Sequence, residues 1–361
     1  MNLTIQSFTG IVITLMTFIL QDSLAQETVA KTANISETAK SAEPPQPSQK
    51  KPRSLAISSL EAVKKAVVLI KARGNFSKPE EEEEMRDSQG DYTQAGSGFI
   101  IDSSGITITN NHIVTGAAFL HVWVNGESKP RNAKILGVSE CSDLAVIDIA
   151  GEGYSYLEWY PNKIDVGLEI YAAGFPLAEP EFTLTRGIIS KAHADGETKW
   201  ASVDNVIEHD AIINPGSSGG PLVSKTGQVV GINYGSDPNV RQSFAIARDE
   251  ALKIINELRN GKDIDSIGVN GEAFTNNEIS GIWVWSVKSG SPADQIGIKG
   301  GDIITMMEGL NLAENGTMSE YCDILRSHEV GDPLSIQVLR VTTKGTPFEG
   351  QLNGHKLTIS E

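Results

Sequence analysis

Between Ile212 and Val223 the chain reads IINPGSSGGPLV, a serine set among glycines and prolines with apolar residues on either side. Nucleophilic acyl transfer uses a hydroxyl on a sharp turn whose backbone N–H groups face a developing oxyanion, and glycine neighbours permit that geometry. Ser218 with Gly216 fits this pattern, as does a plain glycine-rich surface turn. A phosphate-binding loop does not, because no Gly-Lys-Ser/Thr follows. Serine at its free pKa is a weak nucleophile, so the reading demands a base and a group that orients the base. Among six histidines, His112 ends a strand-like run in a tight polar turn, ITITNNHIVTGA. His121, His193, His209, His328 and His355 sit in strand, loop or tail contexts. Asp143 begins an apolar strand in ECSDLAVIDIA. A carboxylate there must be hydrogen-bonded or neutral, and an imidazole N–H would satisfy it. Singly, His112 reads equally well as a structural turn histidine and Asp143 as a strand cap. Jointly, the three contexts specify a nucleophile, a base and an orienting acid.

Positioning three groups so far apart in sequence requires a rigid scaffold. From Gln94 to Ala247 short β-type runs recur, among them SGFII, ITITN, LHVWV, LAVIDI, EIYAAG, FTLTRGIIS, VVGINY and SFAIA, most bounded by Gly, Asn, Asp or Pro. Such punctuation indicates a mainly β, antiparallel barrel or sandwich. The period then changes in RDEALKIINELRNG, where Ala251, Leu252, Ile254, Ile255 and Leu258 are expected on one helical face. A second unit begins at about Asp263 with strand-like GIWVWSV, a short helix at SPADQIGI, strand-like DIITMM, a helix near SEYCDILRS and a strand at LSIQVLR. Beyond it, Phe348, Leu352 and Leu357 fit either an added strand or a loose tail. Cys141 and Cys322 belong to different domains, so two free buried thiols are expected rather than a bridge.

The 361 residues fit two folded units at ~150 residues each. Lysine plus arginine number 30 against 46 aspartate plus glutamate, a formal charge of −16. That surplus repels phosphate backbones and argues against a nucleic-acid partner. Residues 8–20, FTGIVITLMTFIL, carry no charge and precede small residues at Ser23 and Ala25. This is the anatomy of a secretory signal spanning 1–25, or of an uncleaved anchor, so the body of the protein is expected to be exported. Residues 26–53 are rich in Ser, Thr, Lys and Pro and read as a flexible linker. The five glutamates from Glu80 to Glu84 read as a solvated insertion.

In chain order, GSGFIIDSSGITITNNHIV, SDLAVIDI, GFPL, TRGIIS and INPGSSGGPLV resemble the protease domain of the HtrA/Deg serine endopeptidases, of trypsin-like fold. SPADQIGIKGGDIIT resembles their PDZ domain. The resemblance implies paired six-stranded barrels over 54–262, a PDZ domain of strands and two helices over 263–345, and a C-terminal tail or extra strand over 346–361. It implies Ser218 as nucleophile, His112 as general base, Asp143 as its orienting acid, and the N–H groups of Gly216 and Ser218 as an oxyanion hole. Ser217 departs from the asparagine common at its position in the family. Ser243, Phe244, Ala245 and Ile246 resemble an edge strand that pairs with substrate beside a pocket for small or medium aliphatic residues. Ile279, Ser280, Gly281 and Ile282 are expected to hold a peptide C-terminal carboxylate, with the following strand pairing with the ligand. The family implies no metal or cofactor. It further implies a homotrimer or larger assembly and an ATP-independent endopeptidase acting on misfolded proteins outside the cytoplasm, commonly in the periplasm. A non-proteolytic peptide-binding chaperone on the same scaffold is the alternative.

Overall fold

The computed structural model describes residues 55–77, 93–124, 126–237, 242–340 and 346–360. The signal-like segment, the linker and the glutamate run lie outside them. The first barrel comprises β1 (Val67–Gly74), β2 (Thr93–Ile100), β3 (Ile106–Thr109), β4 (Ala117–Val124), β5 (Arg131–Ser139) and β6 (Leu144–Ile149), with the one-turn helix α1 (Asn111–Val114) between β3 and β4. It closes in the order β1-β2-β3-β6-β5-β4. The second barrel comprises β7 (Glu169–Gly174), β8 (Thr183–Glu197), β9 (Ser202–His209), β10 (Pro221–Ser224), β11 (Val229–Asp237) and β12 (Gln242–Ala247). It closes as β10-β11-β12-β9-β8-β7. The expected pair of six-stranded barrels is present.

The burial of β1 explains why its sequence, VVLIKA, lacks the polar alternation of a half-exposed strand. Side chains alternate in direction along a strand. Val68, Ile70 and Ala72 fill the first barrel. Val67 and Leu69 face outward into a second apolar cluster, where Phe99, Ile108 and Val146 meet Val223, Ile232 and Ile246 of the other barrel. Both faces are therefore dry, and the barrels are fixed against each other by a shared core.

Helix α2 (Arg248–Arg259) follows the second barrel and lies on β5 and β6 of the first. Its buried stripe is Ala251, Ile255 and Leu258, whereas Leu252 is 43% exposed. The helical period puts positions 251, 255 and 258 on one line and turns Leu252 toward solvent.

The C-terminal unit is a seven-stranded sheet built from β13 (Val269–Thr275), β14 (Ser280–Val287), β15 (Asp302–Met307), β16 (Leu310–Asn311), β17 (Leu334–Arg340), β18 (Thr346–Leu352) and β19 (Thr358–Ile359), with helices α3 (Pro292–Ile296) and α4 (Ser319–Arg326). Ser291 caps α3 by accepting from the N–H of Asp294, and Pro292 occupies its first turn. The tail is a strand: β18 pairs with β17 along seven residues, and Leu352 is fully buried.

This unit is stapled to the first barrel. Cys141, in the turn between β5 and β6, forms a disulfide with Cys322 on α4, with Cα atoms 5.5 Å apart. The expected free thiols are thus corrected, since domain docking brings together two positions 181 residues apart. Backbone contacts continue the junction. Ile264 donates to Val138 O at 2.9 Å, Met318 to Thr198 O at 3.0 Å and Ala273 to Lys199 O at 2.8 Å.

Because Leu258 is enclosed and Leu252 is not, Leu258→Ala should lower stability by about 2–4 kcal/mol through the cavity it leaves. Leu252→Ala should cost under ~1 kcal/mol. Urea denaturation followed by circular dichroism compares the two, and equal midpoints would contradict the docking of α2.

Candidate active site

Helix α1 is too short to satisfy its own termini, and its N-terminal N–H groups need outside acceptors. Asp143 supplies them. Its carboxylate accepts from the N–H of His112 at 2.9 Å, and its carbonyl accepts from the N–H of Asn111 at 3.2 Å and from the Asn110 side chain at 2.8 Å. The other carboxylate oxygen lies 2.8 Å from His112 Nδ1. Asp143 is fully buried and sits at φ 48°, in the left-handed region that costs a non-glycine residue about 1 kcal/mol or more. Those hydrogen bonds, with the N–H of Asp143 donating to Glu140 O at 3.2 Å, hold it there. With Nδ1–H given to Asp143, the lone pair of the imidazole is on Nε2, the tautomer that can take a proton.

One face of the His112 ring lies against Trp200 at 5.4 Å between centroids, and Trp200 in turn lies 5.5 Å from Trp285 of the C-terminal unit. Asn270 donates to His112 O at 2.9 Å. His112 is thus walled in part by a domain other than its own.

Ser218 lies on the turn that leads into β10. The N–H of Ser217 donates to Asn214 O at 2.8 Å, and the N–H of Asn214 donates back to Ser217 Oγ at 3.2 Å. The serine that replaces the family's asparagine therefore closes the turn itself. Ser97, on β2 and fully buried, clamps the turn from the first barrel. Its N–H donates to Ser218 O at 2.8 Å and its hydroxyl to Gly216 O at 2.7 Å, while the N–H of Phe175 donates to that hydroxyl at 2.8 Å. Thr109, three positions before His112, donates to Ser97 O at 2.7 Å. Gly219 has φ 80°, and a Cβ there would lie 2.2 Å from Ser97 O and 3.1 Å from the N of Asn110. Glycine is required for the serine turn to approach the histidine turn so closely.

Neither Gly216 N–H nor Ser218 N–H has an acceptor among the described residues. Pro215 O is taken by the N–H of Leu177 at 2.6 Å. A planar trans peptide then directs the Gly216 N–H to the opposite side, free for an incoming oxygen. Leu177 provides this brace from a strained left-handed conformation, φ 57°, and Ala178 follows it at φ 56°. Ser218 Oγ and His112 Nε2 are not hydrogen-bonded to each other in this structure. Catalytic hydrogen bonds of this kind often tighten only with substrate bound.

Two other sequence expectations meet a different topology. Strand β12, carrying Ser243, Phe244, Ala245 and Ile246, is paired on both sides, to β11 and to β9. It has no edge for a substrate, and Ala245 and Ile246 are wholly buried in the two apolar clusters. Among the described residues β11 offers an unpaired edge: its pairing with β10 ends at Ile232 and its backbone bonds to the serine turn end at Asn233, while the strand continues to Asp237. Likewise, Ile279, Ser280, Gly281 and Ile282 lie at the β13–β14 hairpin, and β14 is flanked by β13 and β15. The edge strand beside β14 is β13. The sequence reading also passed over Ser97, Trp200 and Leu177. Of these only Ser97 carries a local signal, its place between two glycines.

Comparisons with known proteins agree with this architecture. Residues 96–232 match the trypsin-like peptidase domain family and residues 262–359 the PDZ domain family. The serine protease Do-like HtrB of Bacillus subtilis is 35% identical over 260 residues, covering 64% of this chain and 56% of that protein. The putative serine protease HhoA of Synechocystis is 33% identical over 270 residues, covering 68% of this chain and 67% of that protein. A solved HtrA-type protease, AlgW in a serine-to-alanine form with a tripeptide, is 24% identical, covers 84% of this chain and 96% of its own, and superposes with a TM-score of 0.50, a likeness of fold. The chain spans little more than half the length of the Bacillus relative it matches. With both domain families matched in the expected order and a relative covered over two thirds of its length, the chain belongs to the HtrA/Deg family of serine proteases.

Proposed function

We propose that the protein is an exported, ATP-independent serine endopeptidase that cleaves misfolded or unfolded proteins, with a PDZ domain that takes peptide C-termini. The observation that carries the reading is the bonded His112–Asp143 pair beside a serine turn whose two amides lack acceptors. In this reading His112 Nε2 removes the proton of Ser218 as Oγ attacks the scissile carbonyl. Asp143 holds the tautomer and stabilises the imidazolium that forms. The carbonyl oxygen, now negative, is received by the N–H groups of Gly216 and Ser218. Removing one such donor costs ~3 kcal/mol of transition-state stabilisation in comparable sites. His112 then gives its proton to the leaving amine, and water repeats the sequence on the acyl-enzyme.

Substrate main chain is assigned to the free edge of β11 rather than to β12. Glu208, opposite Phe244 in the β9–β12 register, is occupied by Lys191 at 2.6 Å and by Gln242 at 2.8 Å. Glu208 is thereby not offered to a basic side chain, which supports cleavage after small or medium aliphatic residues. Relatives are named as periplasmic endoproteases, which supports an extracytoplasmic location. A homotrimer rests on family likeness, and light scattering on the purified protein measures it.

Purified protein should degrade unfolded casein, and Ser218→Ala should reduce the rate by up to ~10⁶-fold with an unchanged melting temperature. Equal inertness of both proteins across temperature would leave the scaffold as a peptide-binding chaperone.

Ser97→Ala removes a hydroxyl that serves both Gly216 O and Phe175 N. Leaving such buried groups unpaired costs about 1–3 kcal/mol. Casein hydrolysis should therefore fall about 10- to 100-fold, with a smaller loss in Ser97→Thr. An unchanged rate in Ser97→Ala would remove Ser97 from the positioning machinery.

A further inference from the structure

Glu140 is a buried acid that the proposed reaction does not use. It is 3% exposed and belongs to the turn that ends in Asp143. One carboxylate oxygen accepts from the N–H of Gly268 at 2.7 Å, the N–H of Val269 at 2.8 Å and the hydroxyl of Ser266 at 2.5 Å. The other accepts from the hydroxyl of Tyr321 on α4. Two successive amides converging on one carboxylate oxygen at the head of an edge strand form the kind of backbone nest that captures a peptide C-terminus.

A further position on that edge is taken by the loop between β8 and β9. The N–H of Ala273 on β13 donates to Lys199 O, as it would to an added strand. Cys141, next to Glu140, lies in the apolar core of the C-terminal unit with Ile267, Val269 and Leu325, and is bonded to Cys322. A carboxylate in the nest, an adjoining side chain in the apolar pocket and main-chain pairing along the strand are the three contacts a bound peptide makes.

We propose that the PDZ groove between β13 and α4 is occupied in cis by Glu140, Cys141 and Lys199, so that an external peptide C-terminus binds only by displacing the Glu140 carboxylate. The inference rests on the reading that this domain takes C-termini, and moves their site from the β13–β14 hairpin to the head of β13. A tethered competitor acts at an effective concentration of mM or more, and the apparent affinity of a free peptide falls with the fraction of open groove. The disulfide keeps the competitor from leaving. Burial pushes the Glu140 carboxyl up to about 7 against the pull of its four donors.

The test uses the full chain carrying Ser218→Ala, so that peptides survive, and a fluorescent decapeptide with a hydrophobic C-terminal residue, as free acid and as C-terminal amide. Anisotropy titrations compare this parent with versions that add Glu140→Ala, Cys322→Ser or both. The free acid should bind the double variant at least about tenfold more tightly than the parent, and the amide should bind neither. If the double variant does not fold by circular dichroism, Glu140→Ala alone carries the comparison. Equal affinity in parent and opened proteins overturns cis occupancy while leaving C-terminal recognition standing. Absence of binding in folded, opened variants, or equal binding of acid and amide, overturns C-terminal recognition and the inference with it.

Discussion

Burying the carboxylate of Asp143 in the turn before β6 imposes a demand that its neighbours must meet together. A carboxylate away from water requires donors on every side, and those it recruits are the N–H of His112 and the imidazole itself. Orienting the His112 ring and capping the one-turn helix that carries it are thus a single requirement. The left-handed backbone of Asp143 follows from it, since only a sharply turned residue can offer carbonyl and carboxylate to the same helix end.

The second consequence concerns the barrels. His112 and Asp143 come from the first and Ser218 from the second, so their spacing depends on how firmly the barrels meet. A shared apolar core fixes the coarse distance, and Ser97 sets the fine one. Ser97 belongs to the first barrel but holds both the carbonyl of Ser218 and the carbonyl two residues earlier. The peptide that presents Gly216 N–H is braced again by Leu177, whose strained conformation persists because the surrounding contacts over-determine it.

Much of this was legible from local pattern. His112 at a strand end, Asp143 before an apolar strand and Ser218 among glycines each announce themselves within about ten residues. Barrel closure is less so, because a sandwich has the same short alternating strands and the distinction lies in whether β1 meets β4. The edges were misjudged for the same reason. The run SFAIA reads as a strand, yet whether it has one neighbour or two is decided by β9 and β11, not by its own residues. Ser97 escaped notice because its partners lie 78 and 119 positions away. Cys141 and Cys322 are the extreme case: no local feature of either points to the other, and only the docking of α4 on the β5–β6 turn joins them.

That covalent link has a further meaning for the life history of the molecule. Thiols stay reduced in a cytosol and pair in oxidising compartments. In an oxidising compartment the domain arrangement is therefore held by packing and by a covalent bond, and in a reducing one by packing alone. Protein recovered from a reducing host and protein recovered from outside the cell would share a sequence but differ in how freely the second domain can swing away.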